Sequence, residues 1–211
     1  MIEVFSGLHA VRIADADGLD TEVYIIECED GLVLVDAEFT PECHTNIGKA
    51  LDAMSKTWKD INKIIITHAH GDHINNLPQV KELTNAQVYI GKGDEKSLIE
   101  RTGVKADTVL ETGDVVDDCG GIEAILVPGH SNGNLSLYLH KYRALIAGDT
   151  IFGDSNGTLE APPEKYCSDV DAAAKNLKIL AGYDFALLLS HGKNTLTSAK
   201  EKVVALIEAC A

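Results

Sequence analysis

Apolar residues fall in runs of three to five along the chain, such as Leu32 to Val35, Ile64 to Ile66 and Ala186 to Leu189, each closed by polar or turn-forming residues. Runs that short suit buried strands, and they fall far below the roughly 20 residues that span a bilayer. The pattern predicts strands over Val4 to Ile13, Thr21 to Cys28 and Leu32 to Asp36, the last two joined across a Glu29-Asp30-Gly31 turn. Glu42 to Lys56 has helical spacing, with Thr40 as N-cap and Pro41 at the first helical position. A strand over Ile61 to Thr67, a helix over Asn75 to Leu83 and a strand over Gln87 to Ile90 follow. In the second half, Ile122 to Val127, Leu135 to Leu139, Ala144 to Ala147 and Phe185 to Leu189 read as strands, and Asp169 to Ala181 and Ser198 to Cys210 as helices. Strands and helices mixed in both halves point to two sheets flanked by helices, an α/β sandwich. No Pro-rich or Gly/Ser-rich linker interrupts the pattern, so a single domain over residues 1–211 is expected.

Four apolar strands run into ionisable residues. Ile64-Ile65-Ile66 leads into Thr67-His68-Ala69-His70-Gly71-Asp72-His73, and Leu126-Val127 into Pro128-Gly129-His130-Ser131. Leu145-Ile146-Ala147 leads into Gly148-Asp149-Thr150, and Leu187-Leu188-Leu189 into Ser190-His191-Gly192. Side chains at the ends of packed strands converge at one sheet edge, where open α/β folds bind ligands. A lone Gly-His or Gly-Asp is usually only a turn. Four ionisable residues within six positions, between an apolar strand and a helix, are hard to explain as a surface loop. The set comprises His68, His70, His73, His130 and His191 with Asp72 and Asp149. Imidazole suits zinc and iron, carboxylates suit harder ions and bridge well, and no cysteine joins to make a structural zinc site. Seven candidate ligands exceed the four of one tetrahedral zinc, so two ions sharing a bridge is the economical reading. His9, His44 and His140 lie outside these clusters and read as surface or core histidines.

Composition narrows the partners. Eighteen Lys and Arg against 33 Asp and Glu leave a net charge of -15, a field that repels nucleic acid and anionic membranes. A small-molecule substrate is expected, and the sequence is silent on oligomeric state. Five cysteines, odd in number and never in a CxxC pair, suit free thiols in a reducing cytoplasm. Met1 to Ile13 lacks the basic and apolar regions of a signal peptide, which agrees with a cytoplasmic location.

His68-Ala69-His70-Gly71-Asp72-His73 resembles the HxHxDH signature of the metallo-β-lactamase superfamily, and Pro128-Gly129-His130, Gly148-Asp149-Thr150 and Ser190-His191-Gly192 resemble its later motifs in order. Leu34-Val35-Asp36 resembles its early strand ending in Asp. The resemblance implies a four-layer αββα sandwich with a binuclear site at one edge. It implies one metal on His68, His70 and His130, another on Asp72, His73 and His191, and Asp149 as the bridge. Asp36 would steady the histidine loop by hydrogen bonds, as metal ligands generally require. Two divalent ions are implied, zinc first, with iron or manganese also compatible. A metal-bridging hydroxide would attack a small thioester, lactone or related ester or amide, and Asp72 and Asp149 would be the catalytic carboxylates.

Within the superfamily, histidine at position 70 argues against the flavodiiron oxidoreductases, which resemble this motif with glutamate there. Gly148-Asp149-Thr150-Ile151-Phe152 resembles the corresponding segment of the glyoxalase II group, although the helical extension that carries glutathione contacts there has no counterpart in this chain. That difference weighs against glutathione as the thiol. The segment Gly153 to Tyr166 reads as a loop that covers the site and selects the substrate. Two alternatives stand beside the hydrolase: a mononuclear iron oxygenase of the persulfide dioxygenase type, and a non-catalytic metal-binding module, which the complete ligand set disfavours.

Overall fold

The computed structural model describes residues 1–14, 20–38, 43–153, 157–191, 194–197 and 199–210, without the side chains of 14, 20, 43, 44, 191 and 194–196. Strands β1 (Ile2–Phe5), β2 (Leu8–Ala14), β3 (Asp20–Cys28), β4 (Gly31–Val35), β5 (Ile61–Ile66), β6 (Gln87–Gly91) and β7 (Thr108–Leu110) form one sheet in chain order. β1 to β4 pair antiparallel, and β4 to β7 pair parallel. Parallel neighbours need crossovers. Helices α1 (Cys43–Ala53), α2 (Gly71–Ile74), α3 (Leu77–Thr84) and α4 (Glu95–Thr102) lie in those connections.

The second sheet contains β8 (Val115–Val116), β9 (Ile122–Leu126), β10 (Leu135–Leu139), β11 (Ala144–Gly153), β12 (Leu159–Glu160), β13 (Leu187–His191) and β14 (Asn194–Thr197). Its order is β14-β13-β11-β10-β9-β8, with β12 paired to β11. Among the described strands of this sheet only β11 and β13 run parallel, and α5 (Val170–Asn176) lies between them in sequence. Helix α6 (Lys200–Ala209) follows β14.

Period-two alternation sorts the side chains into layers. Val33, Val35 and Ile65 of the first sheet meet Leu135, Leu137, Ile146 and Leu189 of the second between the sheets. Leu34, Ile64 and Ile66 face the other way, against Ile47, Leu51, Leu77 and Val80 of the helices. Leu145, Ala147 and Leu188 likewise pack on Leu177, Leu180 and Val203. This is the αββα sandwich. Ile64, Ile65 and Ile66 are all fully buried, each burial contributing about 1.5–3 kcal/mol, which explains why β5 is apolar on both faces. No helix among the described residues is long and apolar enough to cross a membrane.

The expected elements need four corrections. Val4 to Ile13 is two strands, because the chain turns at Ser6-Gly7 with Gly7 at φ +81°, a left-handed conformation open to glycine. Helix α4 and strands β7, β8 and β14 carry too little apolar periodicity to be read; α4 buries only Leu98. β11 does not stop before Asp149 but bends at Gly148, φ +54°, and continues to Gly153, so Asp149 lies within a strand. The segment Gly153 to Tyr166 contains β12 and one 3-10 turn, Glu164–Tyr166, with 154–156 outside the described residues. The expected N-cap and first-turn residues Thr40 and Pro41 also lie outside them.

The cysteines need the fifth. Cys28, at the end of β3, and Cys119, just before β9, are joined as a disulfide with Cα atoms 4.3 Å apart. The pair ties the two sheets together, although 91 residues separate its members. Sheet stacking creates that proximity, and cysteine spacing carries no trace of it. Cys167 and Cys210 are free thiols. The bonded pair removes the cysteine-based argument for a reducing compartment.

Candidate metal centre

The strand ends meet where β4, β5 and β9 finish. After β5, Thr67 opens a loop whose backbone is held from both sheets. Thr67 O accepts from Leu135 N at 2.8 Å, and His73 O accepts from Ala37 N at 2.8 Å and Glu38 N at 3.0 Å. The loop then turns into α2, which carries Asp72 and His73. The segment after β9 is gripped by the start of α5: His130 O accepts from Ser168 N at 3.1 Å, and Gly129 O from Asp169 N at 2.9 Å. Gly129 is obligatory there, because a Cβ at its φ of +139° would collide with the backbone of Ala173.

Two groups of ligand-type atoms result. In the first, His130 Nε2 stands 3.1 Å from His68 Nε2 and 2.9 Å from His70 Nδ1. His68 and His130 are buried, and His70 is half-buried. Three imidazole nitrogens aimed at one point cannot satisfy one another by hydrogen bonds alone. One cation at about 2.0–2.1 Å from each nitrogen would space them tetrahedrally at about 3.3 Å, close to what is seen. In the second, His73 Nε2 lies 3.4 Å from Asp72 Oδ2 and 3.2 Å from Asp149 Oδ1. Asp149 Oδ2 lies 3.3 Å from His130 Nε2, so the two oxygens of Asp149 face different groups. The donor set fits divalent ions. The backbone of His191 ends β13 beside Phe152 of β11; its side chain lies outside the described residues.

Asp36 ties the second group to the loop. Its Oδ1 accepts from Thr67 N at 2.7 Å, and its Oδ2 lies 2.8 Å from both Thr67 Oγ1 and His73 Nδ1. The expected hydrogen-bonding role of Asp36 is therefore visible in the geometry. The family resemblance of Leu34-Val35-Asp36 points to Asp36, and the sequence reading missed the roles of Thr67 and of Asp94, a buried carboxylate beside Ala69. Asp94 follows the end of β6 after Lys92-Gly93, so the strand-end rule extended by a few residues finds it. Tyr166, by contrast, is exposed, with Lys165 Nζ 4.4 Å above its ring.

Burial separates the protonation states. It holds His68 well below the ordinary imidazole value, lowers His70 and brings His130 down to about 4, so these three imidazoles are neutral at pH 7. Burial also opposes charge on His73, but Asp36 and Asp149 outweigh it and raise His73 well above its ordinary value. Without metal, His73 is therefore protonated at neutral pH, and a metal ion bound to its Nε2 would have to displace that proton. Loading metal-free protein at pH 7 is expected to release about one proton from His73. Calorimetric titration in buffers of different ionisation enthalpy measures it; zero release would contradict the assignment.

The comparisons with known proteins agree with this geometry. The family model described as metallo-beta-lactamase superfamily matches residues 16–205. A hydroxyacylglutathione hydrolase of Methylobacterium nodulans is 30% identical over 146 residues, which cover 66% of this chain and 55% of that protein. A probable metallo-hydrolase of Bacillus subtilis is 25% identical, with 90% and 85% covered. The chain spans about half the length of the hydroxyacylglutathione hydrolases it matches. A metallo-beta-lactamase family protein from Thermus thermophilus superposes with a TM-score of 0.79 at 16% identity, covering 98% of this chain and 80% of that one.

Proposed function

The chain belongs to the metallo-beta-lactamase superfamily, and from that premise we propose that it is a binuclear metal-dependent hydrolase of a small thioester, lactone or related ester or amide. One observation carries the reading: Asp149 presents one oxygen to His130 and the other to His73. His68, His70 and His130 would hold one ion, Asp72, His73 and His191 the other, with Asp149 shared. When bound, divalent ions supply Lewis acidity and lower the pKa of water from about 15.7 to about 7. Zinc is the first candidate metal, and iron or manganese suit the same donors.

The chain supplies the rest. Buried neutral imidazoles hold positive charge without a proton to displace. Asp72 is the most exposed carboxylate of the set, its side chain 38% accessible against 5% for Asp149. Burial pushes its carboxyl up, but the hydrogen bond and charge of His73 prevail and hold it below the ordinary carboxylate value. An ionised, reachable carboxylate is suited to taking a proton from the attacking water and passing it to the leaving group. Phe152 stands 6.2 Å from the His130 ring and walls that side of the site. The relatives named hydroxyacylglutathione hydrolase favour a thioester among the candidate substrates.

Elemental analysis joined to a panel of thioesters, lactones and a chromogenic β-lactam tests the proposal. Two metal equivalents and turnover of one class are expected. Chelation should cut that turnover at least about a hundredfold, with recovery on metal addition. A single ferrous ion with oxygen consumption and no hydrolysis would replace this reading with the persulfide dioxygenase type.

A further inference from the structure

The two segments that carry His68, His70 and His130 share one carboxylate. Asp94 stands at the N-cap of α4, yet its side chain makes no capping bond to that helix. It is 3% exposed and turns toward the metal centre. Its Oδ2 accepts from Ala69 N at 2.9 Å and from Ser131 Oγ at 2.6 Å, and its Oδ1 accepts from Gly133 N at 2.9 Å. Ala69 separates His68 from His70, and Ser131 follows His130. The bond to Ala69 therefore restrains the His-X-His segment, and the other two restrain the His130 segment.

The surrounding backbone is shaped to admit this contact. A Cβ at Gly91 would strike the carbonyl of Gly133, and a Cβ at Gly133 would strike Asp94 N and Gly91 O. Glycine at both positions lets the turn after β6 lie against the turn after β9. All three donors to Asp94 are neutral groups, two backbone amides and one hydroxyl. Hydrogen bonds to an ionised acceptor are the short, strong kind.

We propose that Asp94 is the positioning residue of the His68/His70/His130 metal group, setting the separation of His130 from the other two nitrogens and with it the metal affinity of that group. The inference rests on the reading of those three histidines as ligands. Metal–ligand distances in real sites keep within about 0.2 Å of their preferred values, so a segment freed to drift binds the metal less tightly. Partners that orient ligands typically contribute about 10–100-fold in metal affinity.

The test titrates metal-free wild type, Asp94→Asn, Ser131→Ala and His130→Ala with zinc against a chromophoric chelator. Cobalt is then substituted and its visible spectrum recorded, with thermal unfolding of each metal-free protein alongside. Asp94→Asn is expected to weaken one equivalent about 10–100-fold and to shift the cobalt bands, which a purely structural role would leave in place. Ser131→Ala, which removes one of the three bonds, should weaken the same equivalent about fivefold. His130→Ala should lose that equivalent altogether. Full metal content in His130→Ala overturns the ligand reading itself. Wild-type affinity and spectrum in both Asp94→Asn and Ser131→Ala, with the loss in His130→Ala intact, overturns the positioning role alone. If Asp94→Asn does not fold, Ser131→Ala decides.

Discussion

Alanine at position 149 is expected to leave about one metal equivalent in the protein and to lower kcat/KM by about a thousandfold or more. Asp149 is buried within β11, and its two oxygens face His73 and His130, which belong to different ligand groups. Neither of the two carboxylates described closest to His73 spans both groups: Asp72 reaches His73, and Asp36 is committed to Thr67 and the far nitrogen of His73. Several kcal/mol of transition-state stabilisation depend on a catalytic metal, and each 1.36 kcal/mol is tenfold in rate. Asp149→Asn separates charge from shape, because the amide nitrogen cannot ligate while the side chain keeps its volume. It should resemble the alanine variant in metal content and differ from it in thermal stability. Metal analysis and steady-state kinetics on purified protein measure both effects. Full turnover with two equivalents retained in Asp149→Ala would refute the binuclear scheme.

The second large effect is expected at Asp36, and it is a stability effect first. Removing its carboxylate leaves a buried backbone N–H, a buried hydroxyl and a buried imidazole nitrogen without their acceptor. Breaking a buried hydrogen-bonded pair by deleting one partner costs about 3–5 kcal/mol. For a chain of this size each kcal/mol is about 2–4 °C of Tm, so Asp36→Ala should melt about 10 °C lower. Asp36 also holds φ +65°, a conformation that asparagine tolerates better than alanine, so Asp36→Asn should be milder. The pH dependence has a definite sign. His73 has a raised pKa in the metal-free fold, so its pairing stabilises fully below the ordinary imidazole value of about 6.5 and fades as pH rises through the raised value. The gap between metal-free wild type and Asp36→Ala should therefore be widest in mild acid and narrow in alkali. Thermal melts across that range measure it, and a gap that widens toward alkali would contradict the His73 pairing.

Much of the metal centre was readable from local pattern. The His68 to His73 segment stands out because four ionisable residues in six positions cannot be hidden in a core unless something satisfies them. Asp36 was readable only through the resemblance of Leu34-Val35-Asp36 to the family's early strand. Thr67 was not, because a threonine at a strand end is ordinary in composition, and only its bonds to Asp36 give it a role. The continuation of β11 through Asp149 was hidden by Gly148-Asp149-Thr150, which reads as a turn until β13 pairs alongside it. Helix α4 was hidden because a charged, exposed helix with one buried leucine has almost no apolar stripe.

The sequence by itself determined the layer architecture and the ligand chemistry. Both rest on short-range properties: apolar alternation assigns each strand's faces, and residue type decides what an imidazole or carboxylate can bind. Tertiary structure alone decided that Cys28 meets Cys119 across the sheets and that Asp94 reaches both histidine segments, and it supplied the distances at which Asp149, implied as a bridge by the family resemblance, faces two groups at once. Each is a distance between residues far apart in the chain, set by strand register and by how closely the sheets and their turns pack. No local pattern carries that information.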